Sequence, residues 1–236
     1  MMRKGYITLM VCLGGILFIS NNSLAQKVGS WNIFHLRYNV NSKIGFILEG
    51  QIRSLAFFNN FHYHEYRGGL VYSPNEFITF NLSVGDYDTY MENGNFSNPK
   101  INDEFRLWEQ VQLNTKVGRV KFEQRLRLEQ RFAPERYRNR LRYRVMAYFP
   151  LNKSKESQHP WFIYVGDELF FTDIPTYFER NRFSTGIQYK LNDHITLSTG
   201  YLRQFDYKID DENGQDFCNP RSNTSGRLWT HNACLL

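Results

Sequence analysis

The densest run of side chains able to do chemistry lies between Val120 and Phe132. Lys121, Glu123, Arg125, Arg127, Glu129 and Arg131 alternate there with Val120, Phe122, Gln124, Leu126, Leu128, Gln130 and Phe132. Glu104 and Arg106 lie in the segment before it, and Arg140, Arg142 and Arg144 in the segment after it. Guanidinium groups fork onto carboxylates and other oxyanions. This set could therefore bind an anion or form an internal ladder of ion pairs. A second constellation is His62-Tyr63-His64-Glu65. In an extended segment His62 and His64 share a face and could reach one metal ion, but no third ligand accompanies them. No nucleophile elbow, phosphate loop or zinc signature occurs. No catalytic residue, metal site or cofactor is expected. A lipid hydrolase using the two histidines at a barrel rim is the weakest of the functional readings.

Side chains alternate across a strand, so Val120–Phe132 has one charged face and one mostly apolar face. The segment is about twice the usual strand of five or six residues. A strand crossing a membrane needs about 9–11 residues. Length and alternation together predict a transmembrane β-barrel with a polar interior.

Nine other segments alternate in the same way: Ser30–Val40, Lys43–Arg53, Tyr63–Tyr72, Phe77–Asp86, Asp103–Thr115, Arg138–Phe149, Trp161–Phe171, Arg182–Leu191 and Ile195–Phe205. The cleanest sets Ile78, Phe80, Leu82 and Val84 against Thr79, Asn81, Ser83 and Gly85. In the fifth, Glu109 interrupts the apolar face. By phase, Glu49, Arg53, Glu65, Arg67, Glu168 and Arg182 are further inward candidates. Asn41-Ser42, Pro74-Asn75, Val117-Gly118 and Asn192-Asp193 read as tight turns.

The N-terminus has Arg3 and Lys4, an uncharged apolar run from Tyr6 to Ile19, and small residues at Ser23 and Ala25. Residues 1–25 therefore read as a cleavable secretory signal peptide. Aromatic content is high at 17%, which suits the aromatic girdles of barrels. The mean hydropathy of -0.53 is what alternating strands give. The net charge of +6 is too mild to suggest nucleic acid. Cys218 and Cys234 both lie in the tail, far from the strands.

Several of these segments resemble a known family. Asp103-Glu104-Phe105-Arg106-Leu107-Trp108-Glu109-Gln110 is similar to its E-x-R-x-W/L-x-Q segment. Arg125-Leu126-Arg127-Leu128-Glu129-Gln130-Arg131-Phe132 is similar to its H/R-x-R-L-E-x-R-F signature, and Arg140-Leu141-Arg142-Tyr143-Arg144 to the strand after it. Glu168-Leu169-Phe170, Asn181-Arg182 and Gly200-Tyr201 match later positions. The family is the uncharacterised outer-membrane group called domain of unknown function 2490, DUF2490. The resemblance implies a barrel in a Gram-negative outer membrane and no particular reaction. It departs after Phe217, where a final amphipathic strand is expected and Cys218 onward loses alternation.

The expectation is thus an all-β protein, a single antiparallel transmembrane β-barrel of about 10–12 strands over residues 26–217. An irregular tail, 218–236, would lie outside the wall and leave closure incomplete. The partners expected are outer-membrane lipid, the barrel-assembly machinery and a small anion or solute, with no nucleic acid. Glu104, Arg106, Glu123, Arg125, Arg127, Glu129, Arg131, Arg140, Arg142 and Arg144 should crowd one wall of the lumen. Either they fill the lumen as ion pairs, or they line a narrow anion-preferring pore.

Overall fold

The computed structural model describes residues 28–151, 161–191, 195–207 and 231–235. The segment 1–25 read as a signal peptide, the expected Asn192-Asp193 turn and most of the tail lie outside them. Ten antiparallel strands form one curled sheet: β1 (Val28–Asn39), β2 (Ile44–Ala56), β3 (Asn59–Tyr72), β4 (Ile78–Tyr90), β5 (Lys100–Val117), β6 (Val120–Ala133), β7 (Arg136–Pro150), β8 (Trp161–Thr172), β9 (Phe178–Lys190) and β10 (Thr196–Asp206). Each pairs with its sequence neighbours. All ten alternating segments are strands, and several run two to four residues further than the alternation does. Ladder hydrogen bonds continue past the apolar band, where the side chains no longer need to alternate.

The short turns have local causes. Asn41 Oδ1 accepts the amides of Lys43 and Ile44, both at 2.8 Å, and Asn75 Oδ1 accepts those of Phe77 and Ile78 at 2.9 and 3.0 Å. Gly118 takes a φ of 59° in the two-residue β5–β6 turn, where a primed turn matches the strand twist. We call the end carrying these turns the upper end, and the other the lower end. Connections at the two ends do not sort by length. Nine residues, 91–99, join β4 to β5 at the lower end, and ten, 151–160, join β7 to β8 at the upper end.

The tail corrects one expectation. His231–Leu235 is a strand, β11, seated between the two edges of the sheet, antiparallel to β10 and parallel to β1. Ten strands leave two unpaired edges, and in a membrane such edges must be covered. Five residues cover part of them: β11 meets Val28 to Asn32 of β1 and Thr199 to Arg203 of β10. The strand order then closes into a barrel.

Burial is inverted relative to a soluble sheet. The covered side chains include Arg, Glu, Gln, Asn and Ser, whereas Phe80, Leu82, Val84, Leu126, Leu128, Ile163 and Ile187 are exposed. Outward aromatics gather toward the ends. Tyr72–Phe80 and Trp161–Tyr189 contact at the upper end, and Phe105–Phe132–Tyr137 and Phe171–Phe178 at the lower. Such bands flank the apolar zone of transmembrane barrels.

Candidate functional site: the charged lumen

Every charged residue assigned inward by phase faces the lumen. On the β5–β9 wall these residues form one zigzag of alternating sign. Arg125 Nη2 pairs with Glu168, which also takes Arg142 at 2.8 Å. Arg142 reaches Glu129 at 2.6 Å, and Arg140 meets the other oxygen of Glu129, also at 2.6 Å. Arg140 continues to Glu179 at 3.0 Å, and Glu179 lies 3.8 Å from Arg131. Arg131 and Arg106 then close on Glu104 at 2.6 Å each. Glu123 sits above the zigzag, with Lys121 at 2.7 Å and Arg144 at 3.9 Å.

The opposite wall holds a shorter series. Glu49 takes Arg67 directly and has His35 Nδ1 at 3.0 Å, and Glu65 takes Arg53 at 3.3 Å and the Tyr63 hydroxyl. Aromatic rings join the walls. Trp108 lies between Arg127, 3.9 Å from its centroid, and Arg67 at 5.0 Å. Trp31 receives Arg53 at 3.7 Å and Arg182 at 4.8 Å, and Phe170 has Arg142 at 4.5 Å and Arg182 at 4.7 Å. A guanidinium over a ring gains cation–π attraction, so an arginine lacking a full carboxylate partner still has a counterpart. At mid-height Trp108, Arg127, Glu129 and Phe170 are each 2% exposed or less.

A cavity of about 900 Å³ remains among these side chains, reached by Arg37, Lys121 and Asn114 above and by His62, Arg136 and Arg138 below. Arginine outnumbers carboxylate along it. Arg127 gives two hydrogen bonds to Gln110, and Arg182 one to Gln204, both neutral acceptors.

The histidine pair separates. Ser54 pairs with Phe61 and Arg53 with Tyr63, so His62 is an extra residue at a β-bulge. One added residue reverses the facing of the residues after it. His62 lines the lumen, whereas His64 stands on the outer wall, 3.3 Å from Tyr90 Oη and 3.6 Å from Asp88. The expectation that they share a face fails for this reason. Among the described residues, Asp86, Asp88 and Asp103 bring carboxylates close enough for a cation. Lys100 Nζ already lies between two of them, 2.8 Å from Asp88 and 3.4 Å from Asp103.

The family model described as Protein of unknown function (DUF2490) matches residues 28–215. The chain belongs to the DUF2490 family. The matched range covers all ten strands of the curled sheet of this DUF2490 protein. No curated protein matches the chain. Among solved structures, LpxR from Salmonella typhimurium aligns over 74% of this chain and 81% of its own, at 8% identity and a TM-score of 0.45.

Reading by phase sets Trp108 on the polar face beside Arg106 but misses the rest of the aromatic half of this DUF2490 lumen. Tyr63 alternates in step with Glu65 and Phe170 with Glu168, so each could have been assigned inward. Their value as platforms between guanidiniums depends on which strands face each other across the lumen, which a linear pattern does not contain.

Proposed function

We propose that this protein is an exported outer-membrane barrel with a structural role, its lumen closed by the arginine–glutamate–aromatic network. The observation that carries this is the covered layer of Trp108, Arg127, Glu129 and Phe170 at mid-height. Charges withdrawn from water must be paired and hydrogen-bonded, and the zigzag supplies carboxylates on both sides of that layer. The exposed apolar band with an aromatic girdle at each end supports insertion in lipid. In this reading a signal peptide directs export and the barrel-assembly machinery inserts the chain.

Two experiments test it. Fractionation places the mature protein in the outer membrane; recovery as a soluble periplasmic species sinks the proposal. Proteoliposomes containing the barrel swell no faster in small sugars or salts than empty liposomes; rapid swelling contradicts closure. The second reading is a narrow anion-preferring pore. It is favoured by the residual cavity and by the excess of arginine lining it.

A further inference from the structure

From the upper half of the lumen we infer a binding site for a phosphate-type dianion, built on Arg125 and Arg144. The two arginines are directly opposite each other across the β6–β7 ladder. Like charges so placed repel, and the carboxylate opposite Arg144 on its other side, Glu168 of β8, is divided among several guanidiniums. Glu168 takes one Arg125 nitrogen but also holds Arg142. Glu123 is engaged by Lys121 at 2.7 Å and by the Tyr148 hydroxyl at 3.2 Å, and Arg144 reaches it only at 3.9 Å. Lys121, Arg125 and Arg144 thus share Glu123 and part of Glu168, whose other claimant, Arg142, is also held by Glu129.

Hydrogen bonding repeats the imbalance. Arg125 Nε and Arg144 Nε are both buried without an acceptor. An unsatisfied buried donor on a charged group is costly, and the natural remedy is an oxyanion. Both side chains line the cavity, together with Gln112, which pairs with Arg125 across β5–β6. Access is from above: the Arg125 side chain is 8% exposed, Arg144 27% and Lys121 46%. A compact tetrahedral dianion, free phosphate or the phosphate of a small monoester, offers enough acceptors for both guanidiniums and the charge to balance them. This rests on the closed-lumen reading, since an open pore would pass such an anion rather than hold it.

The test is calorimetric titration of the folded wild-type barrel in detergent with inorganic phosphate, against chloride at equal ionic strength. A saturable one-to-one phosphate signal is expected, with none from chloride. Arg125→Gln and Arg144→Gln each weaken it about tenfold, the scale of one lost charge-assisted hydrogen bond. Arg37→Gln, at the upper end of the opposite wall, leaves it unchanged. Should a glutamine variant not fold, Arg144→Lys keeps the charge and loses the fork, and weakens binding by a smaller factor. A titration with glycerol phosphate separates the sources: equal affinity means the phosphate group alone is read, and tighter binding means a monoester is the ligand. Absence of a phosphate signal on folded wild type overturns the inference, as does binding indifferent to both arginines. If bilayers stay silent while phosphate fails to bind, the site falls and the closed lumen stands. If phosphate binds and anion current flows, the closed lumen falls and the holding site falls with it, the arginines being a station on a conducting path.

Discussion

The lower and upper halves of the lumen are built from the same residue types on the same strands, yet they differ in how closely carboxylates engage the arginines. From mid-height down, Glu129 and Glu104 are each shared by three arginines within 3.5 Å, and Glu179 links the groups. Above it, Arg125 and Arg144 face each other with carboxylates already in use. Arginine outnumbers carboxylate in both halves, but the lower arginines reach shared carboxylates within 3.5 Å, whereas Arg144 reaches Glu123 only at 3.9 Å. A run of charges in one strand therefore does not predict a role. What decides is whether a carboxylate comes within reach of both members of an opposed pair, as Glu104 does for Arg106 and Arg131.

The largest effect that would break this contrast is loss of Glu129. Its removal leaves Arg140 and Arg142 without their shared partner in a covered layer, and Glu129→Ala should destabilise the barrel by about 3–5 kcal/mol. Urea unfolding in lipid vesicles measures it, and a loss below about 1 kcal/mol would show that the zigzag is not what holds the lower half. Trp108→Ala removes the ring between Arg67 and Arg127 and leaves a void, at about 3 kcal/mol. It should also admit current where the wild type admits none.

Arg144→Gln sharpens the comparison from the other side. Without an added anion it relieves a like-charge pair, so stability should hold or rise by up to about 1 kcal/mol. The same change at Arg140 should lower it. Equal losses at both positions would erase the distinction between the halves.

How far the sequence reveals this can be said residue by residue. The period of two survives through the middle of the strands, so Glu49, Arg67, Glu168 and Arg182 can be assigned inward without coordinates. Pairing cannot. It depends on register and on contacts across the lumen, as with Arg127, which lies over Trp108 two strand positions from its nearest carboxylate. His62 is misplaced by the pattern because a single bulged residue leaves no mark in the composition. β11 escapes it because five residues are too few to display alternation. They are strand because two edges are waiting for them.

The smallest effect concerns a turn outside the barrel wall. Asp173 accepts the Asn139 amide at 2.9 Å, and that bond holds its carboxyl below the usual range. A carboxyl depressed on folding stabilises above its unfolded value and ceases to as pH falls through the folded one. The β8–β9 turn should loosen below about pH 4. Hydrogen exchange at Asn139 would report this, and unchanged protection in acid, or in Asp173→Ala at neutral pH, would remove the bond from the account.

The most direct test of the closed lumen is the current through wild-type barrel in a planar bilayer, at low and high salt. With Trp108, Arg127, Glu129 and Phe170 in place, the expected record is flat, without resolved steps at either polarity. Steady ohmic steps with anion selectivity would contradict the closed lumen and establish the arginines as the wall of a pore.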